Sequence, residues 1–331
     1  MSTLYVVEDG SRLEREHGRL LVVKQDEVLF AAPLARLDQV VVAAAISITS
    51  PALSALLGHG IGLTLLDRQG EVQGHLRPPA GGHVGLRRRQ YQCMDDPAFA
   101  LAVSRAIVAG KVRNQRVAAM RLARTHAGVA RDAPDHLERV VGKLDGAADL
   151  DTLRGYEGEA ARVWFGVLRS VVDPAFGFAA RRRRPPPDPI NALLSLGYTL
   201  LVENLVAACE VAGLDPLAGF FHTEKYGRPA LALDLMEEFR SVIVDSVVLN
   251  LVNREMVRPD DFAPGPEGGV YLKPAALRVF FRRYAARLRT AVVHPAAGRR
   301  LSYQKCFEVQ ARRLRKVIEG EAAGYEPFGT R

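Results

Sequence analysis

Leu76-Arg77-Pro78-Pro79-Ala80-Gly81-Gly82 is where the chain changes its pattern. Before it, apolar and β-branched residues come in short runs at 4–7, 19–24, 27–31, 38–43 and 62–66, broken by turn signals such as Asp9-Gly10 and His17-Gly18. Short runs between regular turns predict strands. Ser50-Pro51 opens one short helix that ends near Gly58, with proline in its first turn. After Gly82 the apolar residues recur at three- and four-residue spacing, the period of helices. The spacing predicts helices over 99–124, 151–172, 190–212, 233–253, 275–293 and 302–319. Residues 142–148 read as irregular, and 181–189 as a basic, proline-rich loop. The expected fold class is α+β: a small all-β N-terminal domain (1–77), a linker (78–95) and a larger, mainly α-helical domain (96–331).

Of the 331 residues, 48% are hydrophobic, which suits packed domains rather than a disordered chain, and the formal charge is +8. An excess of cations favours a polyanionic partner such as nucleic acid. Cys93, Cys209 and Cys306 are widely spaced and form no CxxC pair. That excludes a zinc ribbon and argues against a disulfide framework, so a reducing cytoplasm is the expected location. The N-terminus lacks the basic-then-apolar pattern of a secretory signal. Apolar segments such as 40–46 are too short to span a bilayer, and no membrane association is expected.

Carboxylates in apolar surroundings mark the candidate chemistry. On the 151–172 helix, Leu153, Tyr156, Ala160, Ala161, Val163, Trp164, Val167, Leu168 and Val171 form one stripe, and Glu157 falls inside it. Glu159 falls on the polar side with Arg162 and Arg169. A carboxylate on a packed face is costly unless a cation or hydrogen bonds meet it. An internal ion pair with an arginine and a metal site both satisfy that demand. The 233–253 segment is apolar around most of its circumference, yet Asp234, Glu237, Glu238, Ser241 and Asp245 gather on one strip. A solvated acidic edge or a metal site would each account for them.

His222 follows Gly219-Phe220-Phe221 and precedes that acidic segment by a short loop, whereas His126, His136 and His294 fall in expected surface turns. The loop could turn His222 toward Glu237; a purely structural histidine is the plain alternative. One imidazole with several carboxylates suits Mg2+ or Mn2+, the nitrogen leaning toward Mn2+. Basic sets complete the pattern: Arg87-Arg88-Arg89, the loop Arg181, Arg182, Arg183 and Arg184, the helix positions Arg278, Arg282, Arg283, Arg287 and Arg289, and Arg312, Arg313, Arg315 and Lys316. Each set is either a solvated face or part of a phosphate-binding surface.

Several segments together resemble a known family. Gly155-Tyr156-Glu157-Gly158-Glu159-Ala160-Ala161 is similar to the G-x-E-G-x-A-A motif of the CRISPR-associated endonuclease/integrase of spacer acquisition, the Cas-one family. The segment from Arg183-Arg184-Pro185 through Asp188-Pro189-Ile190-Asn191 to Ser195 resembles its R-R-P-P-x-D-P-x-N-x-x-L-S element. Gly213-Leu214-Asp215-Pro216, Gly219-Phe220-Phe221-His222 and Leu233-Asp234-Leu235-Met236-Glu237-Glu238-Phe239-Arg240 follow in family order. Gly110-Lys111-Val112-Arg113-Asn114-Gln115-Arg116 looks like its G-K-x-x-N-Q-R stretch.

The resemblance implies a catalytic helical domain with metal ligands Glu157, His222 and Glu237, and Asp234 in support. Many relatives carry aspartate at the last ligand position. It implies a homodimer joined through N-terminal domains, a small ferredoxin-like partner of Cas-two type, and insertion of double-stranded prespacer DNA into CRISPR repeat DNA. Arg181 to Arg184, with Lys225 and Arg228 beside His222, are expected on phosphates, and Asn191, Ser195 and Tyr198 are expected to line the cleft. Two other functions remain open at this stage: a non-catalytic DNA-binding scaffold, and an integrase of a related mobile element.

Overall fold

A computed structural model describes residues 3–67, 69–77, 82–126, 128–182 and 185–330. The chain divides into two units, Met1–Gly82 and His83–Arg331. In the first, the strands are β1 (Thr3–Val6), β2 (Arg12–Glu16), β3 (Arg19–Lys24), β4 (Glu27–Pro33), β5 (Gln39–Val42), β6 (Ser47–Ile48), β7 (Gly62–Leu66) and β8 (Val72–Leu76), with helix α1 (Ser50–Gly58) between β6 and β7. They form two four-stranded sheets, ordered β1-β5-β7-β8 and β4-β3-β2-β6. The predicted strand-rich unit is therefore present. It is not purely β, because β5 and β7 run parallel and parallel neighbours need a crossover, which here contains α1. Leu13, Leu20, Val40, Leu56, Ile61 and Leu63 are fully buried in its core. On β4, at the edge of its sheet, Val28, Leu29 and Phe30 are each about half exposed.

In the second unit the helices are α2 (Val84–Met94), α3 (Pro97–Thr125), α4 (Ala133–Leu144), α5 (Leu150–Val171), α6 (Pro189–Ala212), α7 (Ala230–Met236), α8 (Ser246–Asn253), α9 (Pro274–Arg289) and α10 (Tyr303–Glu319). Two short antiparallel hairpins, β9 (Phe262–Pro264) with β10 (Val270–Leu272) and β11 (Ala291–Val293) with β12 (Arg300–Ser302), interrupt them.

Four expectations change here. Residues 84–94, read as linker, are helix α2; buried Gln90 donates to the Asp215 and Ala218 carbonyls and accepts from Asp215 N–H. The rest of that linker, 78–81, lies outside the described residues. The segment 233–253 is not one helix: it breaks after α7, passes through a π-helical turn at Ser241–Asp245 and resumes as α8. Of the histidines expected in surface turns, His294 is buried and His136 lies on helix α4. Finally, α6 is long and apolar enough to cross a membrane, although 78% of its apolar window is buried within the fold. Its burial marks it as a core helix.

Candidate active site

Helix α5 starts where Asp149 caps it by accepting from Thr152 N–H at 2.7 Å. Its buried stripe of Leu153, Ala160, Trp164, Val167 and Leu168 sets the rotation of the helix. Glu157 then sits on the flank of that stripe, 22% exposed. Glu159, on the other side, pairs with His136 and Lys143.

His222 is placed by Asp234. The Asp234 carboxylate is fully buried and accepts from the backbone N–H of Phe220 (2.6 Å), Phe221 (3.0 Å) and His222 (2.9 Å). It also meets His222 Nδ1 at 2.7 Å. With Nδ1–H donating to a carboxylate, Nε2 carries the lone pair, the arrangement that orients a ligating imidazole. Nε2 lies 3.8 Å from Glu237 Oε1. The turn exists only because residue 219 is glycine: a Cβ there would stand 2.6 Å from the Ala230 carbonyl carbon and 2.8 Å from Asp234 Oδ2. Arg154 of α5 ties this loop to the Glu157 helix by donating to the Phe221 carbonyl at 2.9 Å.

Glu237 ends α7 at the helix break and is 2% exposed. Burial opposes its ionisation, but Arg240 and then Lys111 outweigh it and hold the carboxyl at about 2. Arg240 donates to Oε1 at 2.8 Å. Oε2 meets Lys111 Nζ at 2.5 Å. The same ammonium pairs with Glu157. Glu157 and Glu237, expected together, thus converge on one cation, and His222 faces the same carboxylate. That cation is a lysine, where the sequence suggested an arginine pair or a metal. Among the described residues, no three His, Cys, Asp or Glu side chains stand close enough as placed to enclose an ion.

The rest of the acidic strip disperses, because the break in the helix turns each residue to a different neighbour. None of it is a solvated edge: Asp234, Glu237, Glu238, Ser241 and Asp245 are all buried. Asp245 accepts from Trp164 Nε1 (2.7 Å) and Tyr198 Oη (2.5 Å). Burial raises the carboxyl of Asp245 above its usual range despite these bonds. Glu238 turns to the C-terminal tail, accepting from Gln310 Nε2, Tyr325 Oη and Phe328 N–H. Burial pushes its carboxyl up to about 7.

The arginine loop is fastened by the three residues expected to line the cleft. Arg181 donates to Asn191 Oδ1 (2.9 Å) and Ser195 Oγ (3.1 Å), and its guanidinium stands 5.4 Å from the Tyr198 ring centroid. Asn191 is fully buried and also donates to the Ala180 carbonyl and Asp188. Its polar atoms are turned inward, so it anchors the loop instead of presenting a free edge. Arg240 lies 4.2 Å from the other partner of this stack, the Tyr198 ring centroid, which links the loop to Glu237. Arg183 and Arg184 lie outside the described residues. Lys225 is exposed, Arg228 half-buried, and Tyr226 between them fully exposed. Not every basic set is free: Arg287 donates to the Val242 carbonyl, Arg313 pairs with Glu326 and Arg315 with Glu319.

Comparison with known proteins decides the family. The family model for CRISPR associated protein Cas1 matches residues 4–286. The chain is 38% identical over 333 residues to a CRISPR-associated endonuclease Cas1 of Thermus thermophilus, covering 100% of this chain and 98% of the relative. The chain belongs to the Cas1 family. That membership makes it a CRISPR-associated nuclease, in keeping with the role the motifs implied. Its fold is that of a CAS1 protein from Thermotoga maritima, with a TM-score of 0.83, 24% identity and full coverage of both chains. It also matches a chain of a Cas6-RT-Cas1–Cas2 complex at a TM-score of 0.84 and 25% identity, covering 98% of this chain and 36% of that one.

Two features escaped sequence reasoning. Lys111 lies in the Gly110–Arg116 motif, and a lysine flanked by apolar Ile107, Val108 and Val112 on a core helix is itself a signal. The tail residues Tyr325 and Phe328 carry no local signal for the groups they reach.

Proposed function

We propose that the chain is a metal-dependent DNA integrase and endonuclease of CRISPR spacer acquisition, with Glu157, His222 and Glu237 as the ligands of Mg2+ or Mn2+. The observation that carries this reading is the convergence of Glu157 and Glu237, from separate elements, on one cation position beside His222 Nε2. The donor set fits: one imidazole nitrogen and carboxylate oxygens suit these ions, and Glu237 Oε2 and Glu157 already face a single cation, Lys111. Bound there, the ion supplies Lewis-acid polarisation of a phosphodiester and neutralises developing charge.

The protein's own groups do the positioning. Asp234 keeps the Nε2 lone pair of His222 turned toward the site. Arg240 keeps Glu237 ionised and in place. The prespacer 3′-hydroxyl attacks a phosphodiester at the edge of a CRISPR repeat. A new P–O bond forms to that 3′-oxygen while the bond to the repeat strand's 3′-oxygen breaks. The attacking hydroxyl loses its proton and the departing oxygen gains one. A second attack on the other strand completes insertion, and the reverse step and hydrolysis of branched DNA use the same groups.

Arg181 and Arg182, with Arg183 and Arg184 next to them in sequence, and Lys225 and Arg228 beside His222, would meet phosphates and fix the DNA in register. Asn191, Ser195 and Tyr198 serve by holding that loop. The half-exposed Val28, Leu29 and Phe30 on edge strand β4 suit a homodimer through the N-terminal unit, since a bare apolar edge invites a partner strand. A ferredoxin-like partner of Cas-two type accords with the Cas1–Cas2 complex among the structural matches. Such a DNA substrate and partner accord with a cytoplasmic location. Similarity to Cas1 endonucleases over the whole length favours this reading over an integrase of a mobile element.

The test is an integration assay with purified protein, its partner, linear prespacer and a repeat-bearing plasmid. Wild type should form branched insertion products with Mn2+ or Mg2+ and none in EDTA, and Glu157→Ala should form none. Normal turnover by Glu157→Ala, or activity indifferent to chelation, would count against the proposal.

A further inference from the structure

Lys111 is a buried titratable side chain at the site that the proposed chemistry does not use. It lies mid-way along α3, 5% exposed. A lysine is rarely buried unless paired, and its partners here are Glu157 and Glu237, which arrive from α5 and from the end of α7. Two carboxylates brought this close in a desolvated site repel one another strongly without a cation between them. Of the cations near Glu237, Arg240 reaches Oε1, while Lys111 contacts both Oε2 and Glu157. His222 Nε2 faces Oε1 of the same carboxylate.

We propose that Lys111 is the resident cation of this site: its ammonium keeps Glu157 and Glu237 together until a divalent ion takes that place, and metal uptake displaces it. This rests on the metal reading above and adds a residue to it. The residue type suits the task. A lysine ammonium is a compact point charge on a flexible four-carbon stem, whereas the planar guanidinium of arginine is larger and always charged. Displacement breaks no covalent bond and leaves the ammonium tethered to α3 beside the site. A phosphate of the bound DNA is then the available counter-anion. Lys111 is accordingly a positioning residue, acting through the two carboxylates.

Ligand linkage supplies a readout that does not depend on catalysis. An ion that binds the folded chain raises its stability according to its affinity. Wild type, Lys111→Met and Glu237→Gln would be melted in EDTA and in a series of Mn2+ concentrations. Lys111→Met should melt below wild type in EDTA and recover in Mn2+. Its gap between the two conditions should be wider, and its Mn2+ affinity higher, because the competing cation is gone. Mass spectrometry after amine labelling of the unmutated protein gives a second measurement should the variant fail to fold. Lys111 should be protected in EDTA and labelled in Mn2+. If Lys111→Met shows the wild-type gap, or labelling of Lys111 ignores Mn2+, while Glu237→Gln loses Mn2+ binding, the displacement idea is wrong and the metal site stands. If Glu237→Gln binds Mn2+ as wild type does, the metal reading itself falls and this inference with it.

Discussion

Glu237 and Glu238 are adjacent in the chain and both are buried, yet they belong to different worlds. Glu237 is flanked by two cations, Lys111 and Arg240, which hold it ionised at about 2, and it faces the imidazole of His222. Glu238 is surrounded by neutral donors from α10 and the C-terminal tail, and burial pushes it up to about 7. Phe328 of that tail stacks on Phe239 at 4.9 Å between centroids. Asn114 donates to the carbonyls of both Glu238 and Phe328. Gly110 makes room for the tail, since a Cβ there would stand 2.5 Å from Pro327. Burial costs both carboxylates alike. The difference lies in what compensates it: mobile or replaceable charge on one side, a closed set of hydrogen bonds on the other. Only the first arrangement leaves an oxygen available for an ion.

The sharpest way to break this contrast is to neutralise each carboxylate in turn. Glu237→Gln should cut integration and nuclease activity to background, by roughly a thousandfold or more as expected when transition-state electrostatics are removed. Glu238→Gln should keep activity, because Tyr325 hydroxyl can accept from the new amide. Equal losses in the two variants would erase the distinction. Removing the hydrogen-bond acceptor altogether is the stability test. Glu238→Ala strands several buried donors and should lower unfolding stability by about 3 kcal/mol, read as a shifted denaturant midpoint. An unchanged midpoint would show that the tail is not held by Glu238.

Smaller effects sharpen the Glu237 side. Asp234→Asn should weaken Mn2+ binding by about 10- to 100-fold, the usual effect of losing a group that orients a ligating histidine, with the overall fold intact by circular dichroism. Arg228→Ala should leave metal affinity unchanged. It should reduce the salt slope of DNA binding by about one. A slope identical to wild type would remove Arg228 from the phosphate contacts.

Much of this was legible in the sequence, for identifiable reasons. The change from strand to helical period at Pro78-Pro79-Ala80-Gly81-Gly82 marks the same broad division as the strand-rich and helical units. Glu157 stood out because a charged residue interrupted an apolar stripe, and α6 because its apolar residues recur at helical spacing; its start falls one residue before the expected Ile190, with Asp188 as cap and Pro189 in the first turn. Helix α2 was not legible: its buried residues are Leu86 and Gln90, and Gln90 is held by polar bonds that no hydropathy pattern reveals. Helix α4 has Leu137, Val140 and Leu144 at helical spacing, so that omission was avoidable. The break after Glu237 was hidden because the segment is apolar on nearly every side, which leaves no preferred face to track. Lys111 and the tail act across more than forty residues of chain, a separation that local pattern cannot bridge.

The central claim is that Glu157, His222 and Glu237 share one divalent cation. Mn2+ titrated into the metal-free protein and followed by electron paramagnetic resonance tests it without DNA or turnover. The account predicts one tight site in wild type and in Glu238→Gln, and its loss in each of Glu157→Gln, His222→Asn and Glu237→Gln. Tight Mn2+ binding that survives all three substitutions would contradict it.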